Sequence, residues 1–291
     1  MPSSFAAVLH ALSLSPEDAD AATGALEGAG AAVGPFEASG DGRYDVMTAP
    51  VELDVARLAE AREALAGLRA GAGLVPASLL SAERKLLIMD VDSTLIQQEV
   101  IELLADYAGK REEVTAVTEA AMRGELDFAQ SLVARVETLA GLPAEVIDKV
   151  GGAVVLSLGA DELIRAFHAA GHVVCVVSGG FTQILDPLAE ALGLDHARAN
   201  DLEVVDGKLT GRVLGEIVDR AVKERMLRTW AAEHAIPLDH CIAVGDGAND
   251  LDMLGAAGLG IAYNAKPKVR AAADAAVDIP YLDVVRHLAG V

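Results

Sequence analysis

Residues 85–94, KLLIMDVDST, run four apolar side chains, Leu86, Leu87, Ile88 and Met89, straight into two aspartates one residue apart. A short continuous apolar run of this kind reads as a buried strand. In an open parallel sheet, ligands bind at the carboxyl ends of the strands, and Asp90 and Asp92 fall at that end. The alternation of an extended chain sends both carboxylates the same way. Taken alone the pair also admits a plainer reading, in which Asp92 or Ser93 only caps a helix starting near Ile96.

From residue 81 onward the surrounding pattern is α/β. Strand-like runs at 85–89, 172–177, 240–244, 258–262 and 275–279 alternate with helical stretches, which predicts a mostly parallel sheet covered on both faces. Between the first two strands the chain reads as helices only, at 97–108, 112–123, 127–140, 143–151 and 160–170. That gap is too long for one crossover, so residues 96–156 are assigned to a helical cap inserted over the strand ends. In NDLEVVDGKLTGRVLG (200–215), Asp206-Gly207 separates two strand-like runs and predicts a hairpin, a second and smaller insertion.

Two more strand ends carry polar groups. HVVCVVSGGFTQ (172–183) ends an apolar strand in Ser178, Gly179 and Gly180, with a helix expected from about Phe181. A hydroxyl and free backbone N–H groups at a helix N-terminus make a phosphate cradle, although the same residues suit a tight turn with no ligand. HCIAVGDGANDLDML (240–254) ends another strand in Asp246, Asn249 and Asp250. Oxygen-only ligands suit a hard cation such as Mg2+, which keeps several waters and bridges one or two carboxylates to a phosphate. The alternatives are a polar loop capping the helix over 251–257, or a calcium loop, which usually supplies more carboxylates. Lys223 lies on a predicted helix over 219–234 and alone reads as a surface lysine.

In this order, with a lysine before the third, DxDST, SGG and GDGAND resemble the haloacid dehalogenase (HAD) superfamily over residues 83–291, and within it the phosphatases that act on phosphoserine. The resemblance implies a HAD-type Rossmann-like core with a helical cap. It also implies Mg2+-dependent hydrolysis of O-phospho-L-serine to L-serine and phosphate, the last step of L-serine biosynthesis. Carried over by position, Asp90 is the nucleophile that becomes an aspartyl-phosphate, and Asp92 the general acid and base. Ser178, Gly179, Gly180 and Asn249 are implied in holding the phosphate, and Lys223 in bridging it to the nucleophile. Asp90, Asp92 and Asp246 are the implied metal ligands, with Asp250 behind them. The physical reading agrees, because a carboxylate attacks a phosphate dianion only where cations offset the repulsion.

Specificity is expected from the cap. Phe128, Leu132, Arg135 and Leu139 follow a helical spacing and share one stripe. An arginine there needs an anion, either a ligand or a cap glutamate. Glu99 follows the aspartate pair, with Glu102 and Asp106 further along, and these last two read as a solvated helix face. The resemblance implies that Glu99 and Arg135 hold the amino and carboxylate groups of the substrate, and that Met122 and Phe128 line its pocket.

Residues 1–80 read as β-α-β-β-α-β, with strands at 5–12, 31–37 and 43–48, helices at 16–29 and 53–69, and an apolar piece at 74–80. This is a small α+β domain that resembles the ACT fold in the order of its elements, with its boundary at 81–84. The loop SLSPED after Leu12 lacks the glycine-bearing turn of an ACT ligand site, so regulator binding, a structural role and pairing of two copies all stay open. A net charge of −21, from 44 acidic against 23 basic residues, argues against nucleic-acid or anionic-membrane partners. Cys175 and Cys241 sit in apolar runs and read as buried thiols of a reducing compartment. The opening MPSSFAAVLHALSLSPED has no basic n-region, and no stretch has the length of a membrane span, so a cytoplasmic protein is expected. Competing readings keep the machinery but change the substrate to another small phosphomonoester, or the reaction to transfer between hydroxyls. A third makes residues 1–80 an amino-acid-responsive module.

Overall fold

The computed structural model describes residues 2–40, 42–122 and 127–291, with the side chains of 2 and 119–122 outside the description. The first elements are β1 (Pro2–Ala11), α1 (Pro16–Gly28), β2 (Ala32–Val33), β3 (Glu37–Gly40), β4 (Asp45–Asp54), α2 (Leu58–Ala66), β5 (Gly71–Pro76) and the single turn α3 (Ala77–Leu80). The Asp18 carboxylate accepts from Ser15 N at 2.8 Å and from its hydroxyl at 2.9 Å, so the two residues frame the start of α1, with Pro16 fixing its first turn. Three strands, rather than the expected two, separate the helices. Gly34 and Pro35 interrupt the 31–37 run, since proline cannot donate to a ladder, and split it into β2 and β3, both paired to β4.

The rest of the chain comprises β6 (Leu86–Met89); α4 (Val100–Ala108), α5 (Arg111–Met122), α6 (Phe128–Glu137) and α7 (Glu145–Gly151); α8 (Ala160–Ala169); β7 (Val173–Phe181); α9 (Thr182–Leu192); β8 (His196–Val205); β9 (Lys208–Leu214); α10 (Arg220–Glu233); β10 (Cys241–Gly245); α11 (Leu251–Ala256); β11 (Leu259–Tyr263); α12 (Pro267–Ala272); β12 (Ala275–Val277); and α13 (Val284–Ala289). The predicted core strands recur within a residue or two, except that β7 runs on through Ser178 and both glycines to Phe181 across an irregular register with β8. α9 follows at once, from Thr182, with Phe181 as its N-cap. Among the described residues no helix is long and apolar enough to cross a membrane.

β12, β11, β10, β6, β7 and β8 lie side by side and parallel, with β9 turning back on β8. Alternate residues of these strands feed two cores. Leu87, Met89, Val174, Val176, Ile242 and Val244 pack towards α8, α9 and α13. Leu86, Ile88, Cys175, Val177 and Ala243 pack towards α10, α11 and α12. Each large side chain buried this way contributes about 1.5–3 kcal/mol, which is why the strands need both layers of helices.

The N-terminal unit, expected as a separate domain, shares its sheet with the rest of the chain. β5 meets β12 through the pair Gly73 and Ala275, so one twelve-stranded sheet runs β2-β4-β1-β5-β12-β11-β10-β6-β7-β8-β9, with β3 on β4. Phe5, Ala7 and Leu9 of β1 pack with Leu26 of α1 and Leu65 of α2. Val8 between them, with Tyr44, Val46, Val75 and Leu79, belongs to the core that holds Leu87 and Met89. The open edge of β12 would otherwise present unpaired backbone groups, and β5 covers it.

α4 to α7 form the cap. The chain enters it at Ile96 and leaves at Leu156, and these two residues bridge antiparallel. The β8–β9 hairpin, turning at Asp206 and Gly207, props the cap from the side: Gly141 N donates to Leu209 O and Ala144 N to Gly207 O, both at 2.8 Å.

Candidate active site

β10, β6 and β7 are neighbours, so the polar ends of all three converge under the cap. Asp90 leaves β6 with its N–H still donating to Val244 O of β10, while its own carboxylate accepts from Val91 N at 2.7 Å. The next residues do not start an ordinary helix. Ile96 N donates to Val91 O in a wide turn, and Ser93 takes φ +57 inside it. That turn carries Asp92 beside Asp90 and hands the chain on to the cap; no ordinary helix starts near Ile96, and the Asp92 carboxylate instead accepts from Val100 N at the start of α4.

Lys223, from α10, is fully buried and joins two carboxylates: Nζ lies 2.7 Å from Asp90 Oδ1 and 2.7 Å from Asp250 Oδ1. The surface reading of this lysine is therefore wrong. Burial alone would lower its pKa, but Asp250 and Asp90 outweigh that and hold it above the ordinary lysine value. The other Asp250 oxygen accepts from Gly247 N at 2.9 Å and fixes the GDGAND loop.

One oxygen each of Asp90, Asp246 and Asp250 lies within 4.8 Å of the others. Asp92, which the resemblance also implies as a ligand, has its side chain engaged outside this cluster. Oδ1 accepts from Val100 N at 3.1 Å, and Oδ2 faces the Ser178 hydroxyl at 3.4 Å. The cluster fits a hard divalent cation. It is all oxygen, and it carries charge that the protein leaves partly uncompensated: burial first, then Asp250, pushes Asp90 well above the usual carboxylate range, and the same two causes push Asp246 up to about 6. Among the described residues Asp90 Oδ2 and the Asp246 carboxylate accept no hydrogen bond, whereas both Asp250 oxygens do. Asp92 is raised to about 7 by desolvation under the cap and then by the charge of Glu99.

At the end of β7 the Ser178 hydroxyl accepts from Gly180 N at 2.7 Å, and Asn200 holds the Gly179 carbonyl at 2.9 Å. A Cβ on Gly180 would stand 2.9 Å from Asp92 Oδ2, and one on Gly179 would stand 3.0 Å from the Phe128 ring. A side chain at either glycine would thus push on Asp92 or Phe128, while neither glycine takes a positive φ.

A cavity of about 250 Å3 joins this floor to the cap. Asp90, Asp92, Gly179, Gly180, Asp246 and Asn249 line it below, and Glu99, Phe128 and Arg135 line it above. Glu99, at the start of α4, accepts from the Ser93 hydroxyl at 2.8 Å. Arg135 projects from α6, its Nε donating to Ser131 O at 3.2 Å, and among the described residues no carboxylate comes within ion-pairing distance. The cap glutamates Glu119 and Glu125 lie outside the residues whose side chains are described. Burial lowers its pKa, opposed by Glu99, Asp92 and Glu102. Met122 lies outside the residues whose side chains are described.

Thr118, Glu102 and Lys266 line the same cavity and were missed. Glu102 does pair with Arg111 across a solvated face, as expected, but also reaches the cavity wall. Lys266 tempers the rise in Asp246, and no motif spacing marked it. Asn200 read as an ordinary hairpin residue; its Oδ1 accepting from Val218 N while its amide holds Gly179 is visible only in the fold.

The model of the haloacid dehalogenase-like hydrolases matches residues 87–255, more than half of the chain. The chain belongs to the haloacid dehalogenase-like hydrolase family. Within that family it is 59% identical over 241 residues to the phosphoserine phosphatase of Streptomyces coelicolor, a match covering 83% of this chain and 58% of that protein. The chain thus spans little more than half the length of that curated relative. A crystal structure of a probable phosphoserine phosphatase from Vibrio cholerae, in unliganded form, superposes with a TM-score of 0.78 at 38% identity over 98% of this chain and 87% of that one. A phospho-aspartyl intermediate analogue of a phosphoserine phosphatase superposes with a TM-score of 0.67 at 43% identity, over 71% of this chain and 99% of that one.

Proposed function

We propose that this member of the haloacid dehalogenase-like hydrolases is an Mg2+-dependent phosphatase that hydrolyses O-phospho-L-serine to L-serine and phosphate in the cytoplasm, as the last step of L-serine biosynthesis. The observation that carries the reading is a single cavity with the Asp90, Asp92 and Asp246 carboxylates on its floor and Glu99 and Arg135 on its roof. An ester with a phosphate at one end and an ammonium and a carboxylate at the other matches that distribution of charge. The relatives named phosphoserine phosphatase support it, as does the structure of a phospho-aspartyl intermediate analogue.

In this reading an Asp90 oxygen attacks phosphorus, and the bond from phosphorus to the serine oxygen breaks. Asp92 gives its proton to the leaving alkoxide. With a pKa raised to about 7 it holds that proton in a useful fraction of molecules near neutrality. Water then attacks phosphorus, Asp92 takes the water's proton, and the bond to Asp90 breaks. Lys223 holds the Asp90 carboxylate in place and offsets the charge on the transferring group. Bound Mg2+, held by Asp90 and Asp246, would supply further positive charge there. Ser178 Oγ, Gly179, Gly180 and Asn249 would receive the phosphoryl oxygens. The test is phosphate release from O-phospho-L-serine by the purified chain with Mg2+. No release, or release no faster than from unrelated phosphomonoesters, would replace this reading with a phosphatase or phosphotransferase of another substrate.

A further inference from the structure

The cap hinge is tied to the N-terminal unit through one buried carboxylate. Asp283, directly before α13, is completely buried. Its Oδ2 accepts from Arg43 Nη2 at 2.5 Å and from the Tyr44 hydroxyl at 2.9 Å, both from the loop leading into β4. The other side of this carboxylate faces Gly159, where the chain returns from the cap. Gly159 takes φ +81, and a Cβ on it would stand 2.0 Å from Asp283 Oδ1, so the backbone is pressed directly against the acid. Beside it Leu282 N donates to Leu158 O at 2.7 Å.

Two residues earlier the hinge reaches the turn that holds the aspartates. The Ser157 hydroxyl donates to Thr94 O at 2.6 Å, and Ser157 N donates to Leu95 O at 2.9 Å. Gln97 N donates to Val155 O at 2.9 Å, and its side-chain amide donates to Leu156 O at 2.8 Å. The two hinge strands therefore form one short ladder between Thr94, at the end of the Asp90–Asp92 turn, and Gly159, which rests on Asp283.

We propose that Arg43 and Tyr44, acting through Asp283, are positioning residues for the cap hinge, so that the N-terminal unit sets how Glu99 and Arg135 are presented over Asp90. An ion pair and a phenol hydroxyl on a fully buried carboxylate are expensive to break, and Gly159 and Leu158 lie directly against Asp283 and Leu282. The link reaches the reaction only through the hinge, and its effect on turnover rests on the phosphoserine reading above.

The experiment uses the full chain with Tyr44→Phe, which keeps the ring and removes one hydrogen bond, together with Arg43→Ala and its conservative partner Arg43→Lys. Two quantities are read: amide hydrogen exchange over 94–98 and 155–159, and KM and kcat for O-phospho-L-serine and for ethyl phosphate. Tyr44→Phe and Arg43→Ala should speed exchange in the hinge and raise KM for phosphoserine about two- to thirty-fold, with little change for ethyl phosphate and partial recovery in Arg43→Lys. Unchanged hinge exchange overturns the proposal. So does an unchanged KM, or an equal loss on both substrates, which would mean general destabilisation. Should the wild-type chain not hydrolyse phosphoserine at all, the functional reading fails by itself, and hinge exchange still decides whether the link exists.

Discussion

Lys223 and Asp90 meet at 2.7 Å with almost no solvent reaching either side chain, and Asp250 stands on the other side of the same ammonium. The pair is the point at which the α10 side of the sheet touches the chemistry. Lys223→Met should leave two facing carboxylates without their cation and destabilise the fold by about 3–5 kcal/mol, measured by urea unfolding without metal. Asp90→Asn should keep the fold and abolish phosphate release and phosphoenzyme trapping, since an amide does not attack phosphorus. Turnover above background in Asp90→Asn would remove the nucleophile from this position.

Arg135→Ala separates recognition from chemistry. Loss of one buried charge-assisted partner costs about 2–5 kcal/mol, which corresponds to tens- to thousands-fold. The drop in kcat/KM should be of that size for phosphoserine and nearly absent for ethyl phosphate. Equal drops on both would make Arg135 part of cap closure instead.

Metal should be visible without turnover. Ligands that bind only the folded state stabilise it, by about 2.7 kcal/mol at a hundred times Kd. Mg2+ should therefore raise Tm, by relieving the repulsion among Asp90, Asp246 and Asp250. Asp246→Asn should abolish most of that rise, and EDTA should suppress activity, with Ca2+ a poor substitute. A Tm indifferent to Mg2+ in the wild type would argue against a cation at this cluster.

His10 gives a pH signature unrelated to catalysis. Burial above all lowers its pKa from 6.5 to about 4, helped by His287 and Arg270 and opposed by a contact with the Ala276 backbone. The unfolded chain takes up the proton first, so the stability due to neutral His10 is intact above pH 6.5 and is lost as pH falls towards 4. The full change is about 3 kcal/mol. Urea midpoints measured between pH 7 and pH 4 should show a slope that His10→Leu flattens; an equal slope in both proteins would exclude His10 as its source.

The parts of this fold legible in the sequence were those written in local pattern. LLIM, VVCVV and CIAVG are continuous apolar runs because both sheet faces are covered, and each ends in the polar residues that meet under the cap. What stayed hidden depends on residues far apart in the chain. Nothing near Tyr44 announces Asp283, and nothing near Gly73 announces Ala275, because a small residue at a sheet edge leaves no periodic trace. The turn through Ser93, which directs the Asp92 carboxylate to Val100 N and Ser178, has no signal in the sequence either. Lys266 and Thr118 reach the cavity from elements with no motif of their own.

The junction of β5 with β12 has a kinetic side. Gly73 and Ala275 are about 200 residues apart, and contacts of such separation form late because the loop entropy between them must be overcome first. During synthesis β5 emerges early and keeps an unpaired edge until β12 has folded. An edge strand left open in this way is a template for wrong pairing between chains until the core beside it has assembled.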